Sequence, residues 1–219
     1  MLIKEFLHFS TPKSKKILNV CNFNMKLDLR LTHRFLDQLW CQAVVAFLFK
    51  DKTLLTGYLS RLDEKLTGSL AQLIGKSFLT GKRDELILVA SQQRIKAEKL
   101  LFVGLGSHKN YSIDILSSAI NKIALTLEKL ELYEIGIMVP WVEGIKIDYM
   151  ELIKYTINNF IDYYSIHKRD AVNFSLKVIF TVDEKKISDL QFLRRELRTY
   201  LNLPASDYSI AIDNSIEAT

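Results

Sequence analysis

The chain has 219 residues, of which 48% are hydrophobic and 25% charged, and these values exclude disordered, collagen-like and disulfide-scaffold proteins. The longest uninterrupted apolar run, 43–49, is far shorter than the about 20 residues of a membrane-spanning helix, so no membrane segment is expected. The net charge is +5, and residues 1–24 supply +3 of it through four lysines against one glutamate. This mild basicity permits contact with nucleic acid without arguing for it.

Two cysteines, Cys21 and Cys41, are separated by twenty positions, with no CxxC motif and no neighbouring histidine. This spacing does not fit a zinc or redox framework, so both are expected to be small buried hydrophobic residues. Polar and charged residues interrupt 1–24 before the apolar core of a secretory signal can form. The sequence therefore predicts a reducing, cytoplasmic location.

Strand and helix patterns alternate from residue 25 onward. Residues 25–31 alternate between leucines and charged residues, as in a strand with one buried face, and 43–49 fits a strand covered on both faces. Leucines at helical spacing predict one amphipathic helix over 56–75. Two further strands are expected at 85–90 and 99–103.

The second half of the chain continues the alternation. Its predicted elements are a helix over 112–130, a strand over 135–139, an aromatic-rich helix over 149–164, a strand over 174–181, a helix that begins at Ser188 with Gln191 completing a capping box, and a short strand over 209–213. This order predicts an α/β fold of three layers, with a mixed, mostly parallel sheet flanked by helices. We expect a single domain over 25–219, preceded by an N-terminal extension over 1–24.

A glycine-rich turn follows the strand at 99–103 and precedes a helix. Glycines let the backbone approach a phosphate closely, and the start of a helix offers free N–H donors. The dinucleotide-binding fingerprint would need a third glycine where Lys109 stands, so a tight structural turn remains the commoner interpretation. If the turn does bind a ligand, the candidate residues are Gly104, Leu105, Gly106, Ser107 and His108.

A group of basic residues precedes and occupies the last helix. The group consists of Lys185, Lys186, Arg194, Arg195 and Arg198. The three arginines fall within roughly a 100° arc of a helix, which would suit a nucleic-acid-binding surface, although charged runs more often form a solvated face.

No motif for catalysis or metal binding is present. The four histidines lack the spacing of metal ligands, and the acid pairs at 63–64 and 183–184 are not placed to face a common cleft. Neither a GxSxG motif, a P-loop nor a Cys–His arrangement occurs. The sequence predicts no catalytic residue, metal or cofactor.

Residues 44–140 contain an ordered set of features, namely the strand at 43–49, the helical segment Leu59–Ile74, the turn Phe78-Leu79-Thr80-Gly81-Lys82, and the strand and turn Leu100-Leu101-Phe102-Val103-Gly104-Leu105-Gly106. In this order they resemble the N-terminal, non-catalytic domain of the leucyl (cytosol) aminopeptidase family. The resemblance implies a sheet sandwiched by helices, similar to the macro domain that binds ADP-ribose. It also implies that Met25 lies near the start of the domain.

In that family the activity resides in a C-terminal domain that binds two metal ions and carries the motif Asn-Thr-Asp-Ala-Glu-Gly-Arg, which this sequence lacks. The resemblance therefore implies a protein without peptidase activity, since metals activate the attacking water. Three functions stay open, in this order: a module for protein interaction or self-association, a nucleotide or ADP-ribose binder that uses 104–109, and a DNA-binding accessory protein.

Overall fold

A computed structural model describes residues 25–52, 55–168, 173–202 and 207–212. Its strands are β1 (Met25–Thr32), β2 (Ala43–Leu48), β3 (Leu86–Ala90), β4 (Lys99–Gly104), β5 (Glu134–Ile137), β6 (Phe174–Thr181) and β7 (Tyr208–Ile212). Its helices are α1 (Tyr58–Lys65), α2 (Ser69–Gly75), α3 (Ile113–Lys129), α4 (Tyr149–His167) and α5 (Leu190–Leu201). The predicted N-terminal extension, which includes Cys21, lies outside the described residues, so the boundary at residue 25 stays a prediction.

The seven strands form one sheet in the order β3-β4-β2-β5-β6-β1-β7. Every neighbouring pair is parallel except β3 and β4, which are antiparallel. This confirms the predicted mixed, mostly parallel sheet. The chain leaves β2 toward β4 and leaves β5 toward β6, so the connections diverge between β2 and β5 and make this the topological switch point.

Helices cover both faces of the sheet, and two apolar cores result. One core lies between the sheet and α3, α4 and α5, and the other lies between the opposite face and α1, α2 and a short 3-10 turn at Leu36–Gln38. All six residues of β2 are buried, because this central strand contributes to both cores. Its continuous apolar sequence is the direct consequence.

The helix predicted over 56–75 is wrong as a single element, because the structure has α1 and α2 with a break between them. Thr67 and Gly68 adopt positive φ angles of 56° and 79° at the break. Across it, the Asp63 carboxylate accepts hydrogen bonds from the amides of Leu70 and Ala71 at 2.9 and 3.0 Å. Leucine spacing alone did not reveal this change of direction.

The last helix also begins later than predicted. Its N-cap is Asp189, whose carboxylate accepts hydrogen bonds from the amides of Gln191 and Phe192 at 2.8 and 3.0 Å, so the capping box expected from Ser188 is wrong. Asp and Ser are both favourable N-cap residues, and sequence alone does not choose between neighbours.

The aromatic residues of α4 pack in the core. Tyr149, Phe160 and Tyr164 are at most 3% exposed, whereas Tyr155 faces solvent. Within the described ranges, no helix is long and apolar enough to cross a bilayer.

Candidate functional site

Two loops meet at the carboxyl ends of β2 and β4, and glycines allow their close approach. A Cβ atom on Gly104 would lie 1.9 Å from the carbonyl oxygen of Lys82. Gly81 has a φ of +68°, and a Cβ atom there would lie 2.8 Å from the Lys50 nitrogen. The segment 81–83 therefore lies directly against the glycine turn and the end of β2. A side chain at Gly81 or at Gly104 would collide with backbone atoms.

The amides of the glycine turn are already engaged within the protein. Gly104, Leu105 and Gly106 each donate a backbone hydrogen bond to a carbonyl oxygen of the neighbouring chain segments, at 2.8–2.9 Å. A phosphate cradle would need such N–H groups to point outward. The geometry thus favours the structural interpretation of the glycines, and ligand binding at 104–108 remains a prediction that depends on the side chains of Ser107 and His108.

Those two side chains are held by Asp51, a residue that the sequence analysis did not single out. The Ser107 hydroxyl donates to Asp51 Oδ2 at 2.6 Å, the His108 amide donates to Oδ1 at 2.9 Å, and His108 Nδ1 lies 2.8 Å from Oδ2. The His108 amide and the Ser107 hydroxyl hold the pKa of the Asp51 carboxyl well below its usual range. Its position directly after the buried strand was the available signal.

Asp51, Ser107 and His108 do not form a catalytic triad. In a triad the serine hydroxyl donates to the imidazole, which itself contacts the carboxylate. Here the serine hydroxyl and the imidazole both contact the carboxylate. The arrangement fixes the turn and does not activate Ser107 as a nucleophile.

A cleft of about 280 Å³ opens beside this turn. It is lined by Lys50, Lys82, Arg83, Leu105, Gly106, Ser107, Asn110 and Ile115, and we call it the basic cleft. Three of its lining residues are cations, and they come from two loops: Lys50 follows β2, and Lys82 and Arg83 precede β3. The glycine contacts described above bring these loops together.

None of the three cations forms an ion pair with a residue that the structure describes. The nearby acids have other partners. Asp84 pairs with Lys122 at 2.6 Å, and the Glu85 carboxylate accepts hydrogen bonds from the amides of Thr80 and Gly81. The basic cleft is therefore a concave surface with three cations that form no ion pair with a described residue, and the Asp51 carboxylate contacts its lining residue Ser107.

The crevice at the switch point is filled by tyrosines. Pairing between β2 and β5 ends at Val45, and the Tyr58 hydroxyl accepts from the Phe47 N–H at 3.1 Å and donates to the Phe47 carbonyl at 3.0 Å. Burial raises the pKa of Tyr58 to about 12. Tyr111 donates to the Pro140 carbonyl at 2.9 Å. Open α/β sheets commonly bind ligands in this crevice, whereas here these side chains occupy it.

The basic residues around α5 have different environments. Lys186 Nζ lies 3.3 Å from the centroid of the Trp141 ring, and Arg194 Nε is buried with no hydrogen-bond partner in the described part of the chain. Lys185, Arg195 and Arg198 are exposed. Nucleic-acid binding by this group remains a prediction.

Among the residues described, no group of three or more His, Cys, Asp or Glu side chains could hold a metal ion. Cys41 is a buried free thiol, as predicted, and burial raises its pKa to about 12. Such a thiol is inert.

The glycine-rich turn lies within the part of the chain that is similar to known proteins. The model of the family described as "Cytosol aminopeptidase family, N-terminal domain" matches residues 44–157, about half of the chain. The chain belongs to this family. It is 34% identical over 93 residues to a probable cytosol aminopeptidase of Trichormus variabilis, covering 42% of this chain and 19% of that protein. A second relative, from Sulfurihydrogenibium sp., is 29% identical over 109 residues, covering 50% of this chain and 22% of that protein.

The aminopeptidase N-terminal match thus spans about a fifth of the length of these curated relatives. Among solved structures, a tomato leucine aminopeptidase mutant is similar with a TM-score of 0.54 and 15% identity, over 82% of this chain and 39% of that one. The Trypanosoma brucei macrodomain in complex with ADP is similar with a TM-score of 0.56 and 12% identity, over 72% and 64%. These likenesses confirm the macro-domain-like fold and carry no further conclusion at such identities.

Proposed function

We propose that this aminopeptidase N-terminal domain is a non-catalytic module that binds a phosphate-bearing small molecule, of the nucleotide or ADP-ribose class, in the basic cleft. The observation that carries the proposal is the convergence of Lys50, Lys82 and Arg83, none of them in an ion pair with a described residue, on one cleft of about 280 Å³. A phosphate would supply the missing negative charge.

The chemistry of the lining suits phosphate oxygens. Lysine offers a compact positive charge, and arginine can donate two parallel hydrogen bonds to one phosphate. Asn110 lines the same cleft and adds a neutral polar group, whereas the Ser107 hydroxyl already donates to Asp51. Asp51 is ionised, because hydrogen bonds from the His108 amide and the Ser107 hydroxyl lower the pKa of its carboxyl, and the three cations outnumber this one negative charge. This is a site built from side chains, in place of the glycine amides.

Two comparisons support the proposal in different ways. The macrodomain of Trypanosoma brucei was solved with ADP, which makes a nucleotide a reasonable first ligand for a similar fold. The absence of peptidase activity is proposed because the matched family description names only the N-terminal domain, and the matches span about a fifth of the curated aminopeptidases.

The test is calorimetric titration with ADP, ADP-ribose and pyrophosphate, together with thermal melts. A ligand at 100 times its dissociation constant should add about 2.7 kcal/mol to the free energy of unfolding. We expect saturable binding to the unmodified protein. The triple variant Lys50→Gln, Lys82→Gln, Arg83→Gln should bind at least about tenfold more weakly, since each lost charge removes a charge-assisted contact.

The matched control is Lys65→Gln, Lys76→Gln, Lys129→Gln, which removes the same charge from exposed positions outside the cleft. It should bind like the unmodified protein. The absence of binding by all three ligands, or equal weakening in both triple variants, would contradict the proposal. Equal weakening would mean that only net charge matters.

Interaction with a protein partner is a second candidate function. The observation that favours it is an apolar edge strand, β3, whose outer edge pairs with no other strand in the described part of the chain.

A further inference from the structure

Among the residues that the structure describes, strand β3 forms one edge of the sheet and pairs with β4 alone. The two flanking ladder bonds show which way its backbone groups point: the Gly104 amide donates to the Glu85 carbonyl, and the Ser91 amide donates to the Glu98 carbonyl. The backbone N–H and C=O groups of alternate residues point to opposite sides of a strand, so those of the odd-numbered residues point toward β4. The N–H and C=O groups of Leu86, Leu88 and Ala90 therefore point to the open edge.

This edge lacks the features that usually prevent pairing with another strand. Natural edge strands are protected by charged side chains, proline or bulges. Residues 86–93 contain no charged residue and no proline. In the described residues, no backbone group outside β4 bonds to Leu86, Leu88 or Ala90. The edge is apolar, and no residue in the described ranges pairs with it on that side.

Exposed leucines extend the edge onto one face of the sheet. Leu88 pairs with Leu101, whose side chain is in the core under α3, so Leu88 lies on the α3 side. Lys122 of α3 pairs with Asp84 just before β3, and Leu125 lies one turn further along the same helix face. Leu88 and Leu125 are each 41% exposed. The strand edge with its exposed Leu88 forms an apolar surface.

We infer that this surface binds a second copy of the same chain, with the two β3 strands antiparallel about a two-fold axis at Leu88. In that register Leu88 faces its own counterpart and Leu86 faces Ala90 of the second copy. Each outward N–H then meets an outward C=O, because the donor and acceptor pattern of this edge is its own complement in an antiparallel pair. No residue of 86–90 is charged, so the paired strands bring no like charges together.

A second copy suits this surface because a two-fold axis at Leu88 places the uncharged, apolar residues 86–90 of one chain opposite the same residues of the other. A five-residue strand pair with Leu125 at its margin is small beside the roughly 1,200–2,000 Å² of a standard stable interface. The dimer should accordingly be weak and depend on protein concentration. Its test measures association without added ligand, so it can fail or succeed independently of ligand binding in the basic cleft.

The experiment is sedimentation velocity of the full chain over a wide concentration range, with Leu88→Lys and Leu88→Glu variants. The unmodified protein should show a concentration-dependent monomer–dimer equilibrium. Either variant alone should dissociate at least about tenfold more readily, because the axis places identical charges opposite each other. An equimolar mixture of the two should dimerise again, since opposite charges then meet.

The control is Ile166→Lys, which adds the same charge at a position of α4 that is 72% exposed, and it should leave the equilibrium unchanged. Far-ultraviolet circular dichroism should show the same fold for every variant, because Leu88 is partly exposed. A protein that is monomeric at all concentrations would overturn the inference. So would a dimer that persists in both Leu88 variants, or a mixture that fails to regain association.

Discussion

At the scale of the residue, the missing side chains of Gly81 and Gly104 determine the geometry of the candidate site. Gly81 permits a positive φ, and Gly104 permits contact with the Lys82 carbonyl. The two turns that resemble the aminopeptidase family, at 78–82 and 100–106, are thus two halves of one packing contact. This contact brings Lys82 and Arg83 beside Lys50, so structural glycines shape a charged surface that they do not contribute to chemically.

The substitution Gly104→Ala should lower the free energy of unfolding by roughly 3 kcal/mol, because the new methyl group would collide with backbone that cannot move without disturbing β4. Urea denaturation measures the change. Gly75→Ala is the control: it lies at the end of α2 with nothing within 4 Å of its Cβ position, and it should be neutral or slightly stabilising. Equal stability of the two variants would refute the packing role.

At the scale of the element, the break between α1 and α2 depends on one acid. The leucines on both sides of the break keep helical spacing, and Leu62, Leu66 and Leu70 are all buried. The carboxylate of Asp63 satisfies two amides at the start of α2 that a helix terminus would otherwise leave without partners. From the sequence, Asp63 was interpreted only as one member of the acid pair 63–64, and no role at a helix terminus was predicted for it.

Replacing Asp63 with alanine should cost about 1 kcal/mol of stability, as the loss of a helix N-cap usually does. The neighbouring Glu64 is exposed and its carboxylate makes no hydrogen bond or ion pair to a described residue, so Glu64→Ala should change stability by less than about 0.5 kcal/mol. Chemical denaturation of both variants gives the comparison. A cost shared by both would mean that charge, and not capping, matters here.

At the scale of the whole molecule, the strand order opens a gap between β2 and β5, and Tyr58 fills it. Its hydroxyl is the hydrogen-bond partner of Phe47 at the point where strand pairing ends. Ligand binding is consequently proposed for the basic cleft beside β4. Buried tyrosines also make stability sensitive to alkaline pH, since burial raises the pKa of Tyr58, Tyr111, Tyr149, Tyr163 and Tyr164.

For Tyr58 the folded-state pKa is about 12, against about 10 in the unfolded chain. Its contribution is therefore fully present below pH 10 and is lost as the pH rises through 12, by roughly 2–3 kcal/mol. Between pH 10 and pH 12, the free energy of unfolding of Tyr58→Phe should fall by about 2 kcal/mol less than that of the unmodified protein. At pH 7 it should be less stable by about 1–3 kcal/mol, because the Phe47 N–H and C=O lose their partner.

Denaturation followed by circular dichroism at pH 7 and above pH 12 measures both changes in stability. Tyrosinate absorbance reports the ionisation of the tyrosines. Tyr155→Phe removes a hydroxyl from a side chain that is 40% exposed and should change neither value. If Tyr58→Phe and Tyr155→Phe had the same stability at pH 7 and above pH 12, the proposed role of Tyr58 in the gap would be untenable.

Most of the fold was predictable because local pattern and tertiary burial agree along most of the chain. The alternation in β1, the continuous apolar run of β2 and the buried stripe of α3 each identify an element without knowledge of its neighbours. The exceptions are element ends and reversals. Asp63 and Asp189 act through amides whose positions depend on where the chain turns, so the break in 56–75 and the start of α5 were missed.

The α/β class, the resemblance to the aminopeptidase family and the glycine turn at 104–106 were all predictable from the sequence, since each depends on residues close together in the chain. Three features became visible only in the folded chain: the turn amides are engaged, Asp51 holds Ser107 and His108, and Lys50 lies beside Lys82 and Arg83. The physical reason is the crossing of the chain from β2 through α1, α2 and β3 to β4. It brings Lys50 together with Lys82 and Arg83, which are more than thirty positions away in the chain. The spacing of residues along the sequence does not predict such a contact.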